Sequence, residues 1–328
     1  MISRRTIAAA GPLMAASFAA PGLIGSAAAQ GAAPTSGVPA PAGPNPGGWY
    51  RYKIGDAEVT AIHDGFAMRP LDGFVKNAEL ADVKKAMADA FLPETALPIT
   101  FTTLVVKSGG KTILVDTGNG DTGAPTTGRW MTNFKAAGFD PAQVDTVVIS
   151  HFHGDHINGL RLKDGTAVFP KAEVLVPDTE WAFWTDDAKM SAAPDGMKPA
   201  FQNVRRVFGP IAKDVKQYAS NKEVAPGLTS VAAPGHTPGH TAFVLASGNA
   251  KLMIVSDITN HPALFVRNPT WAAVFDMDAD KARDTRVRIL DMAASEKAQL
   301  AFYHAPFPAT GFVQKDGQGF RYVPAQWM

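Results

Sequence analysis

His151-Phe152-His153-Gly154-Asp155-His156 places three imidazoles and a carboxylate within six consecutive residues of a 328-residue chain. Imidazole suits zinc and its first-row neighbours, and a carboxylate adds charge and a hard oxygen. The six residues follow Asp145-Thr-Val-Val-Ile-Ser150, a β-branched run that reads as a buried strand. A strand ending this way turns His151 and His153 into a space from one side, and Asp155 and His156 from the other. A solvated polar loop has no use for so many titratable groups together.

Three later positions have the same character. Pro234-Gly235-His236-Thr237-Pro238-Gly239-His240 follows a strand-like run, and its glycines and prolines fix a sharp loop that presents one imidazole in one direction. Leu252–Asp257 reads as an apolar strand ending in a carboxylate, and Gln299–His304 as one ending in an imidazole. Each delivers a metal-competent side chain at its C-terminal end. Trp181, Phe183 and Trp184, after a turn at Asp178-Thr179-Glu180, are aromatics of the kind that line an apolar substrate pocket, with core packing as the alternative. His63, in an expected turn at His63-Asp64-Gly65, and His261, before Pro262, read as solvated loop histidines.

The elements that must position these groups alternate in type. Tyr50–Ile54 and Glu58–Ile62 form an expected hairpin. Strands follow at Thr100–Lys107, Lys111–Val115, Glu173–Val176, Leu228–Ala232, Thr241–Ala246 and Lys251–Ser256, with Gln299–Tyr303 as the final one. Helical spacing marks Glu79–Phe91, Arg129–Ala137, Thr179–Asp186, Pro199–Phe208 and Ala279–Ala294. Hairpin-like strand pairs with helices between them imply two packed mixed sheets with helices outside, rather than one doubly wound sheet.

The ends and the composition narrow the function. Arg4-Arg5 before a weakly apolar stretch, closed by Ala27-Ala28-Ala29, resembles a twin-arginine export signal. The expected organisation is a signal at 1–29, a Pro/Gly-rich leader at 30–48 and one folded domain at 49–328. That implies a periplasmic or secreted protein with no membrane association after signal cleavage. The formal charge of +1, near −1 without Arg4 and Arg5, leaves no basic excess for nucleic acid. Cysteine is absent, so protein metal ligands are nitrogen or oxygen and no thiolate nucleophile exists.

HFHGDH, the PGHTPGH loop, Asp257 and His304, with Leu114-Val115-Asp116-Thr117-Gly118 upstream, resemble the metallo-β-lactamase fold superfamily over essentially the whole body from Trp49 onward. Within it, His304-Ala-Pro-Phe-Pro308 and the Pro269–Asp278 segment make the chain similar to exported methyl parathion hydrolase-like proteins. The resemblance implies an α/β fold, a four-layer αβ/βα sandwich of two mixed β-sheets flanked by helices. It also implies two divalent metal ions, zinc by default, with Mn, Fe or Co also accommodated. His151, His153 and His236 would hold one, and Asp155, His156 and His304 the other, with Asp257 bridging. Asp116 and His240 lack a coordination slot and are expected to orient a ligand or hold a loop.

The activity implied is hydrolysis of phosphotriester or ester bonds by a metal-bridging hydroxide, with Asp155 or Asp257 passing a proton to the leaving group. The alternative is a lactonase acting on acyl-homoserine lactones. Such lactonases commonly carry a tyrosine where this chain has Asn260, which weighs toward the phosphotriester. An exported metal-binding protein on the same scaffold is the non-enzyme reading. The implied partners are a small-molecule ester, phosphotriester or lactone and, as a homodimer, a second copy of the chain.

Overall fold

The computed structural model describes residues 47–326, so the expected signal and nearly all of the expected leader lie outside the described residues. The first sheet holds seven strands in sequence order: β1 (Trp49–Ile54), β2 (Ala57–Pro70), β3 (Ala96–Ser108), β4 (Lys111–Val115), β5 (Thr146–Val148), β6 (Glu173–Pro177) and β7 (Lys216–Tyr218). The second also holds seven: β8 (Glu223–Ala225), β9 (Leu228–Ala232), β10 (Thr241–Ser247), β11 (Ala250–Ser256), β12 (Gln299–Phe302), β13 (Thr310–Asp316) and β14 (Gly319–Pro324). The helices are α1 (Leu80–Asp89), α2 (Trp130–Ala136), α3 (Gly154–Ile157), α4 (Asp178–Trp184), α5 (Asp187–Ala192), α6 (Lys198–Phe208), α7 (Pro262–Phe265) and α8 (Ala279–Glu296). Among the described residues no helix is long and apolar enough to cross a membrane.

Both sheets are mixed. β4 through β7 pair in parallel, as do β11 and β12, and the remaining pairs are antiparallel. The parallel strands carry unbroken apolar runs such as Ile113-Leu114-Val115, because they are covered on both faces. Three apolar layers follow from that. Between the sheets, Val59, Leu104 and Ile113 pack with Phe243, Leu245 and Leu252. Outside the first sheet, Trp130 and Phe134 of α2, Trp184 of α4, and Phe201 and Phe208 of α6 cover Leu114 and Val147. Outside the second, Ile289, Leu290 and Ala293 of α8 cover Met253, Val255 and Leu300. The result is the expected four-layer αβ/βα sandwich.

Direction sets where the loops go. Because β10 is antiparallel to both β9 and β11, the C-terminal ends of β9, β11 and β12 lie at one end of their sheet. Those of β4 and β5 lie together in the other. Thr241 at the start of β10 donates its N–H to Ser150 O (3.1 Å) just beyond β5, which brings the two loop-bearing ends together.

Two expectations need correction. His63-Asp64-Gly65 is not a turn: β2 continues through it to Pro70 with a register shift, and β3 begins early at Ala96 to match. Gly65, at φ 117°, permits the shift where a Cβ would sit 2.1 Å from Thr126 O. Nor is Gln299–Tyr303 the last strand. The β13–β14 hairpin follows it around Gly317, and its many exposed polar residues obscure the alternation. Phe243 is wholly buried between the sheets, so Phe243→Ala is expected to cost about 3–5 kcal/mol, read as a lowered urea midpoint at unchanged slope.

Candidate metal centre

Five strand exits supply the centre. Asp116 follows β4, the HFHGDH run follows β5 and enters α3, His236 lies between β9 and β10, Asp257 follows β11, and His304 lies two residues past β12. The fold gathers the seven expected ligands into two adjacent groups, His151, His153 and His236, and Asp155, His156, Asp257 and His304. Within the first, His153 Nδ1 lies 3.1 Å from His151 Nε2 and 2.9 Å from His236 Nε2. Asp257 sits between the groups. Its Oδ2 is 3.3 Å from His236 Nε2 and 2.9 Å from His304 Nε2, and its Oδ1 is 3.3 Å from His156 Nε2.

The outward ring nitrogens hold the imidazoles in place. Carboxylate and carbonyl oxygens only accept, so the nitrogen facing them must donate. His156 Nδ1 donates to Asp116 Oδ2 (2.8 Å), His236 Nδ1 to Asp276 Oδ1 (3.0 Å) and His304 Nδ1 to Thr100 O (2.8 Å). Ser150 Oγ spends its proton on Asp116 Oδ2 (2.7 Å) and accepts from His151 Nδ1 (3.0 Å). In the neutral form each of these four rings would keep its lone pair on the nitrogen that faces the cluster, the arrangement a metal ion needs. His156 Nε2 and Asp257 Oδ1 are buried with no hydrogen-bond partner. The donor set, five imidazoles and two carboxylates, fits divalent cations, which would satisfy these buried groups.

Charge follows the same division. Burial, with His156 next to it, pushes His151 well below the ordinary imidazole value. Burial and His236 lower His153 to about 3. Both thus stay neutral, the ligating form. Burial works against charge on His156 too, but Asp257, Asp155 and Asp116 outweigh it and raise its pKa. Asp257 is held well below the carboxylate range because His304 and His156 outweigh its burial.

Asp116 and His240 stand behind the cluster. Asp116, at φ 59°, accepts from the Ser150 N–H (2.7 Å) as well as from His156. His240 donates from Nδ1 to Ala233 O (3.0 Å) and accepts the Asp257 N–H at Nε2 (3.0 Å), so both its nitrogens are engaged away from the cluster. Neither His63 nor His261 is a solvated loop histidine. His63 is half-buried within β2, and His261 is buried and caps α7 by accepting the Ala263 N–H (3.2 Å).

Three supporting acids escaped the sequence reading. Glu180, fully buried, accepts from Phe152 N (3.0 Å), Trp184 Nε1 (2.9 Å) and Gly239 N (2.6 Å), clamping two ligand loops together. Asp276 orients His236 and is itself paired with the buried Arg286 (3.1 Å). Asp64 accepts from Asn119 N (2.7 Å) and Trp130 N (2.9 Å) and holds the loop after β4. Acidic residues beside an aromatic or a turn were the only signal, and it is a common one.

A cavity of about 410 Å³ opens onto the cluster. His153, Asp155, His236, Asp257 and His304 form part of its lining, with Ala67, Ile99, Phe101, Phe275 and Asn260 as further walls. Trp181, Phe183 and Trp184, expected in the pocket, pack instead in the core outside the first sheet. Their helix turns them toward Phe201 and Phe208, and none of them lines the cavity.

The family profile of the metallo-beta-lactamase superfamily matches residues 97–304. N-acyl homoserine lactonase AttM of Agrobacterium fabrum (strain C58) is 30% identical over 126 residues, 37% of this chain and 43% of its own. The chain thus spans less than half the length of this curated relative. Among solved structures, AidC, a dizinc quorum-quenching lactonase in complex with a product N-hexanoyl-L-homoserine, superposes at a TM-score of 0.81 with 30% identity, over 86% of this chain and 98% of its own. The hydrolase AbOPH of the beta-lactamase superfamily superposes at 0.81 with 26% identity, over 86% and 99%.

Asp276 does not line the cavity over the cluster, yet it fixes His236. Asp276→Ala is expected to weaken zinc binding about 10–100-fold, measured by competition with a chelating dye, while the circular dichroism spectrum is retained.

Proposed function

This chain belongs to the metallo-beta-lactamase superfamily, and from that premise we propose that it is a dinuclear metal-dependent lactonase acting on N-acyl homoserine lactones. The observation that carries the reading is the similarity to AidC over nearly all of that dizinc lactonase, together with the seven-residue donor cluster at a cavity of ligand size. His151, His153 and His236 would hold one ion, Asp155, His156 and His304 the second, and Asp257, lying between the groups, would serve both. Bound there, the ions supply Lewis acidity, acidifying water and polarising the bond under attack.

The chain's own residues do the rest. Asp116, Asp276 and the Thr100 carbonyl keep three ring nitrogens aimed inward before substrate arrives. Asp155 is the more exposed of the two carboxylates, at 22% against 5% for Asp257, and stands in the cavity lining, where it can take a proton and return it to the leaving oxygen. Ile99, Phe101 and Phe275 offer apolar surface for an acyl chain, and Asn260 offers a polar amide within the same wall.

A broader ester reading, including the phosphotriesters expected from the sequence, stands second. It is favoured by Asn260 occupying a cavity position where the lactonase resemblance anticipates tyrosine. A panel of a hexanoyl-homoserine lactone, an aryl carboxylester and an aryl phosphotriester separates the two. The lactone is expected to show the highest kcat/KM, and chelation is expected to abolish it with recovery on adding zinc. A phosphotriester preference would instead sustain the second reading. Asp257→Ala should lower kcat by more than 10³-fold, on the order of removing a main electrostatic group, and reduce bound metal; unchanged turnover would refute the site.

A further inference from the structure

A second cavity, of about 780 Å³, lies between α1, the segment after Asp257 and the β13–β14 hairpin, and shares no lining residue with the reaction cavity. Its donors are unevenly committed. His261 is only 4% exposed, and because its Nδ1 accepts the Ala263 N–H, its ring proton is on Nε2, which has no acceptor among the described residues. Trp271 Nε1 likewise has none. Two of the cavity's cations are ion-paired, Lys85 with Asp89 and Arg267 with Asp316, both at 2.8 Å. Among the described residues Arg321 has no acid partner, and its side chain makes one hydrogen bond, to Gln314 (2.7 Å). The one lining acid without an ion pair, Asp82, is in the exposed first turn of α1. Leu92, Pro262 and Phe320 add apolar surface beside these donors.

Both walls lead to the reaction cavity. His261 N–H donates to Asn260 Oδ1 (3.0 Å), and Asn260 lines that cavity. Trp271 O accepts from Arg286 Nη1 (2.5 Å), and Arg286 holds Asp276, which orients His236. A group seated on His261 and Trp271 therefore bears on two neighbours of the metal cluster at once.

We infer that this cavity binds an acyl or aryl carboxylate, and that its occupancy changes turnover at the separate reaction site. The carboxylate would accept from His261 Nε2 and Trp271 Nε1 and pair with Arg321, leaving the chain against the apolar wall. The inference concerns binding and does not depend on which ester or lactone is hydrolysed.

The test is calorimetric titration of the zinc-loaded protein with decanoate, in wild type, Ala86→Trp, which fills the cavity, and Arg321→Glu, which reverses its free charge. Decanoate is expected to bind, with affinity lowered about tenfold or more in either variant, as for loss of a charge-assisted hydrogen bond. Ala86→Trp should keep the wild-type rate without decanoate, and decanoate should change kcat in wild type but not in that variant. No binding, binding equal in all three proteins, or inhibition confined to KM and unchanged by Ala86→Trp would overturn the inference, the last two placing decanoate in the reaction cavity. If Ala86→Trp fails to fold, Arg321→Glu on the surface hairpin decides. If no substrate is turned over, the calorimetry still decides the binding site.

Discussion

A buried imidazole can offer a lone pair inward only if its other nitrogen is held by an acceptor outside. That constraint organises the centre. The acceptors are Asp116 for His156, Asp276 for His236, Thr100 O for His304 and Ser150 Oγ for His151. Each comes from a different segment, so the ligand directions exist only when both sheets are assembled. The acceptors need support of their own, since a buried carboxylate without partners is costly. Asp116 has Ser150 and Asp276 has Arg286; Glu180, which clamps the ligand loops rather than a ring and whose pKa burial raises, likewise has three donors.

Ser150 is where these dependencies meet. Its N–H and hydroxyl donate to Asp116, its Oγ accepts from Ser256 Oγ (2.8 Å), and its carbonyl accepts from Thr241. It thereby joins the exits of β4, β5 and β11 and the start of β10. Asp116 and Ser256 both take left-handed backbone conformations, at φ 59° and 46°, immediately past or at the ends of β4 and β11. Non-glycine residues there cost on the order of 1–3 kcal/mol each, and such strain persists only where the surroundings over-determine it. Here the hydrogen bonds around Ser150 do so, and the turn after β11 leaves Asp257 between the two ligand groups.

The ligand positions were legible because the motif requires rare residue types at set offsets from strong apolar strands. Lys111–Val115 and Leu228–Ala232 even carry the bounds read from sequence. What was not legible depends on partners distant in the chain. Glu180 looks like any acid in a first helical turn, and its role appears only when Phe152 and Gly239 arrive at it. The short β7 and β8 have three residues each and no periodicity to read. The three aromatics at 181–184 illustrate the converse error, since large rings serve cores and pockets alike and only the helix's facing decides.

Chemistry and selectivity therefore rest on different parts of the molecule. The metal-competent groups follow strand ends in the two sheets, whereas the apolar cavity walls come from the long β2–β3 arm, through Ala67, Ile99 and Phe101, and from Phe275. Wall residues on that arm can change while the donor set at the strand ends stays. The separation is incomplete at two points. Thr100, whose carbonyl orients His304, lies between the wall residues Ile99 and Phe101, and Phe101 packs edge-on against His304. Phe275 and Asp276 are adjacent, and the same backbone carries a wall of the cavity and the acceptor that orients His236. Reshaping that wall shifts Asp276 as well, so substrate scope and metal affinity cannot vary independently along this segment.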